Sequence, residues 1–433
     1  MRLAWVFIKP KAGRLQIEMN PTVTRRIFVL LHRYVGLAIT LFLIIVGLTG
    51  CLLAFQPELN RIVTPRLFPA ERIGQALDLA TLAEHAERLA PEARINLIDV
   101  GLPETVIVRV EARNSPDNNA PVILGFSELF VDPISGDELG RRITGTGLPT
   151  GMDNLMPFIF RLHYNLSLGE LGAWLLGIAA LLWTIDCLVS FYLTLPGITR
   201  TRKPGAETYQ RRSFLSRWKP AWLIKWQAST YRINFDLHRA GGLWTWLALL
   251  IFAWSSVYMN LHDSVYAPAT RLVFDYPSPY WALPKQESLL EHPALNWKQA
   301  IRTAERLMAE QSRLQCFTVE KPVAIRLDRA RHLYIYQVRS SRDIQDRRGR
   351  TRLVIDVNTG ELKQLQLPTG QHNGLTVTMW LNALHDANVF GLPYRIFVSV
   401  LGLLIVMLSS TGVYIWWKKR RARTPCRPRV AVE

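Results

Sequence analysis

Leu31-His-Arg-Tyr-Val-Gly-Leu37 and Leu237-His-Arg-Ala-Gly-Gly-Leu243 stand in opposite halves of a 433-residue chain and share a Leu-His-Arg opening, a glycine four residues after the histidine and a closing leucine. Each leads into an apolar block, Tyr34 to Phe55 and Gly241 to Leu261. A second matched pair, Leu162-His-Tyr-Asn-Leu-Ser-Leu-Gly169 and Leu384-His-Asp-Ala-Asn-Val-Phe-Gly391, precedes the blocks Leu171 to Leu195 and Ile396 to Trp417. Every block approaches the roughly 20 residues that cross about 30 Å of hydrocarbon. The pattern predicts four transmembrane helices, built as two tandem copies of helix, outer domain, helix.

The composition agrees, since 49% hydrophobic and 20% charged residues exclude a disordered chain, and a mean hydropathy of +0.08 averages apolar blocks with ordinary soluble stretches. A net charge of +18 raises nucleic acid as a partner, but the basic residues follow topology. Residues 1–33, Pro196 to Arg239 and the tail after Trp417 hold 7, 10 and 7 Lys/Arg against 1, 2 and 1 Asp/Glu, whereas Gln56 to Leu162 holds 10 against 15. The positive-inside rule then puts arm, central loop and tail in the cytoplasm, in reach of anionic membrane lipid, and nucleic-acid binding is not expected. The first helix reads as an uncleaved anchor, with Met1 and Met19 both open as starts.

The two segments left outside resemble each other. Leu79 to Leu89 and Trp297 to Met308 have helical periodicity, with Ala86-Glu-Arg-Leu89 against Ala304-Glu-Arg-Leu307. Val106 to Glu111 and Leu333 to Val338 alternate as strands, and Leu129 to Leu139 and Leu353 to Leu362 are hairpins whose turns start at Asp132 or Asp356 and reverse at Gly136 or Gly360. Each is expected to be a small α+β domain.

Four of the nine histidines occupy the repeated helix entrances, His32 and His238 on the cytoplasmic side and His163 and His385 on the outer side. Two neutral imidazoles from different helices of a membrane bundle suit a six-coordinate haem iron, so two haem groups are expected. Gly36 and Gly242, one turn beyond the inner histidines, leave room for a flat macrocycle, and Arg33 and Arg239 are placed to hold propionates. A zinc site would need three or four clustered ligands. His262 competes with His385 as partner of His163, and is otherwise expected at the edge of the outer haem. His85, His292, His332 and His372 have no ligand spacing.

Cys51, Cys187, Cys316 and Cys426 form no C-x-x-C-H and no iron–sulfur set, so the haems would be b-type, and no disulfide is expected. Asp186 lies inside the second span, where a carboxylate serves either a proton relay or a hydrogen bond to a neighbouring helix.

These residues, from Leu31-His-Arg-Tyr-Val-Gly through the two hairpins to Thr411-Gly-Val-Tyr-Ile-Trp-Trp-Lys-Lys-Arg420, resemble the PepSY-associated transmembrane proteins of bacterial inner membranes. The resemblance implies a four-helix membrane base carrying two periplasmic PepSY-type domains. It also implies haem ligation by His32, His163, His238 and His385, and for some relatives reduction of ferric siderophore to release ferrous iron. One departure is Trp254-Ser-Ser-Val-Tyr258 where the last helix has Ser410-Thr-Gly-Val-Tyr414.

The expected organisation is an arm (1–26), first span (27–55), outer domain (56–162), second span (163–195), cytoplasmic loop (196–239), third span (240–262), outer domain (263–384), fourth span (385–417) and basic tail (418–433). The loop is too short for a flavin or nicotinamide domain, so electrons would come from quinol or a cytoplasmic donor. An anchored ligand-binding or protease-regulating module, and a haem carrier serving a periplasmic redox protein, are the alternatives. Tyr266, Tyr276, Tyr280, Trp281 and the run Arg342 to Arg352 are candidates to receive an anionic chelate.

Overall fold

The computed structural model describes residues 21–113, 123–144, 148–197 and 213–422. Both candidate starts, the centre of the basic loop and Cys426 lie outside them. In chain order the elements begin with helices α1 (Pro21–Leu53), α2 (Gln56–Val63) and α3 (Leu79–Leu89), then strands β1 (Ala93–Asp99), β2 (Val106–Ala112), β3 (Glu128–Val131) and β4 (Glu138–Arg142). Helices α4 (Leu155–Asn165), α5 (Gly169–Thr194), α6 (Phe214–Trp218), α7 (Thr230–Trp244), α8 (Trp246–Asn260), α9 (Ala267–Arg271) and α10 (Trp297–Leu314) follow. Strands β5 (Val319–Asp328), β6 (Leu333–Ser340), β7 (Thr351–Asp356) and β8 (Leu362–Gln366) and helices α11 (Asn373–His385) and α12 (Gly391–Arg421) complete the chain.

Among the described residues three helices are long and apolar enough to cross a membrane: α1 over Val23–Leu53, α5 and α12. Helices α7 and α8 pass the same test together but are bent by 69° at their junction. The bend has a local cause. After the Gly241-Gly242 pair, the Thr245 hydroxyl donates back to the Gly241 carbonyl at 2.8 Å, beside the backbone bond of 3.2 Å from its own amide, and glycine pairs with back-bonding hydroxyls are places where helices bend. The straight span expected over 240–262 is therefore broken near its start, and His238 lies before the break.

By contacts the chain divides into two compact units. The first draws its described residues from 21–48, 176–257 and 400–422. Its core joins Ile39 of α1, Ala179 and Trp183 of α5, Leu249 and Ala253 of α8, and Leu401 and Ile405 of α12. Glycine sets one approach here, since a Cβ on Gly47 would stand 2.9 Å from the Gly402 carbonyl oxygen.

The second unit comprises Thr49–Leu175 and Tyr258–Ser399. It contains one antiparallel sheet in the order β4-β3-β2-β1-β5-β6-β7-β8. The two extramembrane segments thus share a single eight-stranded sheet, joined where Leu97, Ile98 and Asp99 of β1 pair with Arg326, Ile325 and Ala324 of β5. Helices α3 and α10 cover one face, burying Leu82, Ala83, Trp297, Ile301 and Met308 against Ile98, Val108, Ile325, Tyr336 and Leu353. Asp78 caps α3 through the amides of Ala80 and Thr81, and Asn296 with Gln299 forms a capping box on α10. The two hairpin turns have one chemistry: Asp132 accepts from the amides of Ile134 and Ser135, Asp356 from those of Asn358 and Thr359, and Gly136 and Gly360 supply φ of 77° and 71°.

At the β4 edge Arg142 and Glu128, both buried, meet through two hydrogen bonds of 2.6 and 2.9 Å. Arg142→Ala leaves that carboxylate without its buried partner and is expected to cost about 3–5 kcal/mol, read as a lowered unfolding midpoint of this unit. An unchanged midpoint would mean that water already solvates the pair.

Candidate functional site

His32 lies on α1 and His238 on α7, and their ring centres are 5.9 Å apart at an interplanar angle of 54°. His163, near the end of α4, and His385, the last residue of α11, face each other at 6.1 Å and 66°. Each pair falls within one unit, the first with the spans and the second with the sheet. Two imidazoles that were to hold one metal ion between them, each with a metal–nitrogen bond of about 2 Å and about 1.1 Å from nitrogen to ring centre, would have ring centres about 6 Å apart. Both pairs match that separation.

The far ring nitrogens are anchored. Nδ1 of His32 faces the Asp186 carboxylate on α5 at 2.9 and 3.0 Å. Nδ1 of His238 donates to the Leu408 carbonyl at 2.9 Å and lies 3.2 Å from the Thr411 hydroxyl. A carbonyl only accepts, so His238 carries its proton on Nδ1 and keeps a lone pair on Nε2. Asp186 selects the same tautomer at His32, the arrangement usual for metal-bound histidine. Nδ1 of His163 shares a hydrogen bond of 2.9 Å with the Thr49 hydroxyl.

Glycines make the space. A Cβ on Gly36 would meet nothing within 4 Å, and one on Gly242 would touch only Leu408, at 3.9 Å. Two further glycines, unmarked by sequence reasoning, sit against the rings themselves: a Cβ on Gly50 would stand 3.2 Å from Cε1 of His163, and one on Gly412 3.2 Å from Cε1 of His238. Both follow a threonine that bonds the same ring, so Thr49-Gly50 on α1 and Thr411-Gly412 on α12 form equivalent cradles. The repeated Thr-Gly dipeptide was the available signal.

The arginines differ. Arg33 is half-buried and makes no ion pair among the described residues. Arg239, expected beside it as a second anion holder, instead donates to Asp236 at 2.8 Å and to the Pro220 carbonyl at 2.6 Å. All of these bonds leave from one terminal nitrogen, Nη2, and the buried Nε has no partner among the described residues.

Of the two candidates to face His163, His385 does so. His262 stands at the start of a π-helical turn, with Nδ1 2.5 Å from Asp263 and Nε2 2.9 Å from the Tyr276 hydroxyl. Burial pushes the Tyr276 phenol up, so it stays protonated and donates to Nε2. The rings of Tyr258, Tyr276 and Trp281 lie 5.3–5.9 Å from that imidazole. His85, His332 and His372 hold local hydrogen bonds, to Gly136, Ser288 and Asp275. Among the described residues no three His, Cys, Asp or Glu side chains converge on a metal position.

A family model described as "PepSY-associated TM region" matches residues 29–419, nearly the whole chain. No curated protein matches it.

Proposed function

The chain belongs to the PepSY-associated transmembrane family, and from that premise we propose that it is an oxidoreductase of the bacterial inner membrane with one haem b between His32 and His238 and another between His163 and His385. One observation carries this reading: four imidazoles pair at 5.9 and 6.1 Å, the spacing of trans ligands on one iron. Bound haem supplies one-electron transfer at its iron. The chain supplies the rest. His32 and His238 offer Nε2 lone pairs, with Asp186 and the Leu408 carbonyl fixing the rings. Gly36 and Gly242 leave room for a plate, and Arg33 is free for a propionate, with Arg239 tied through Nη2 to Asp236 and Pro220.

At the second pair Thr49 orients His163, and His262, held between Tyr276 and Asp263, lines the edge of the site where it can hold or pass a proton. With α7 and α8 taken as one broken span, the helices number four in two tandem copies, and the basic loop and tail mark the cytoplasmic side. Arg421 over Trp417 at 4.3 Å and Arg420 over Trp416 at 5.4 Å are apt for an interface there. The sheet then stands in the periplasm.

Electrons would come from quinol or a cytoplasmic donor, and a ferric siderophore is the preferred acceptor, leaving as ferrous iron. A simple anchor for PepSY domains would leave the paired rings without a use. Dithionite-reduced protein mixed anaerobically with a ferric siderophore and a ferrous trap should reoxidise as the trapped iron appears. Unchanged haem bands on adding chelate would refute iron reduction.

Gly412→Val drives a side chain into His238, and Gly50→Val into His163. Each variant is expected to lose one haem of the two by pyridine extraction, while Gly125→Ala, whose added methyl meets open space far from the four histidines in the sequence, keeps both.

A further inference from the structure

Arg350 and Arg352, two residues apart where β7 begins, line a cavity of about 30 Å³ in the second unit, together with Tyr258, Tyr276, Trp281 and Gln366. That volume admits about two water-sized bodies. It is too small for a whole chelate and right for one carboxylate group. No Asp or Glu lines it.

The charges here do not balance. Arg352 donates through Nε to the neutral Gln337 amide oxygen at 3.3 Å and makes no ion pair among the described residues. Burial first, and then the charge of Arg350, hold its guanidinium down to about 10. Arg350 donates to Asn382 at 3.0 Å and to Gln345 at 3.4 Å, and its nearest carboxylate is Asp386 at 3.8 Å. Asp386 reaches Arg350 only at the limit of ion-pair distance, and no ion pair reaches Arg352 among the described residues. Both side chains are partly buried, a partly desolvated cation with little compensation is costly, and an arginine pair is the side-chain choice for gripping a planar oxyanion. The aromatic walls exclude competing water and the glutamine amides add neutral donors.

We propose that Arg350 and Arg352 form a binding site for a carboxylate group in this cavity. Two sources carry that chemistry: a propionate of the haem assigned to His163 and His385, whose C-terminal neighbour is Asp386, or a carboxylate arm of the ferric chelate. The choice between these sources rests on the proposed function, whereas the oxyanion site itself does not.

The test uses the full chain in detergent, as wild type, Arg350→Gln, Arg352→Gln and Arg352→Lys, with two readouts: haem per chain, and equilibrium dialysis against radiolabelled ferric citrate with a carboxylate-free ferric trihydroxamate as control. Loss of one haem in the glutamine variants assigns the site to a propionate. Two haems retained, with ferric citrate weakened about tenfold or more and the trihydroxamate unchanged, assigns it to the chelate. In either case Arg352→Lys, which keeps the charge without the fork, falls between wild type and Arg352→Gln. The proposal is overturned if neither readout moves in either glutamine variant, or if Arg352→Lys falls as far as Arg352→Gln. A wild-type chain without any haem would sink the di-haem reading alone, since citrate binding that drops in Arg352→Gln would still stand.

Discussion

Chains carrying His32→Ala or His238→Ala are expected to retain one haem instead of two, and the same one is lost in both. The two rings face each other at 5.9 Å from separate helices, so deleting either leaves a single axial ligand. No C-x-x-C-H exists to tether a haem covalently, and a non-covalent haem with half its ligation dissociates during purification. His163→Ala and His385→Ala should remove the other haem, with the first unaffected. The double variant His32→Ala/His238→Ala should match either single variant, whereas His32→Ala/His163→Ala should be colourless. These losses are all-or-none at one centre, readable from stoichiometry and from which of two spectral components survives. Loss of the same component from His32→Ala and His163→Ala would show that the pairs are wrongly drawn.

The second large effect is on potential. Asp186 gives His32 a carboxylate partner, whereas Leu408 and Thr411 present neutral oxygens to His238 and Thr49 one to His163. A negative group on Nδ1 raises the basicity of His32 and stabilises the more positive, oxidised iron. Asp186→Asn keeps an acceptor but removes the charge, so the midpoint of one centre should rise. Losing a carboxylate partner of a metal-bound histidine costs about 10–100-fold, and tenfold is about 59 mV for one electron, so the rise should be on the order of 60–120 mV. Potentiometric titration should show one midpoint moved and the other fixed. A midpoint that stays or falls would reduce Asp186 to helix packing.

What the sequence disclosed and what it withheld divide along a physical line. The pairing of the histidine rings was legible because the partners stand at matching places in the two halves, and Leu-His-Arg with a glycine one turn later repeats visibly. The hairpin turns were legible because an Asp side chain and a positive-φ glycine act within five residues. The joining of both extramembrane segments into one sheet was not, because the β1–β5 pairing is a long-range edge contact that leaves no local period. The break between α7 and α8 was hidden for another reason. Hydropathy is blind to direction, and the bend falls beside a glycine pair and a back-bonding threonine that an apolar window does not register. Gly50 and Gly412 escaped because glycine in a membrane helix has an ordinary packing use, and only distance to a ring distinguishes theirs. Arg239 misled in the opposite way, since its place next to His238 said nothing of Asp236 one turn earlier, which takes its guanidinium.

The central claim concerns iron held between paired imidazoles, and pyridine extraction of the full-length protein purified from membranes tests it most directly. The account predicts two b-type haems per chain, with reduced-minus-oxidised bands to match. A purified, folded chain with none would contradict it.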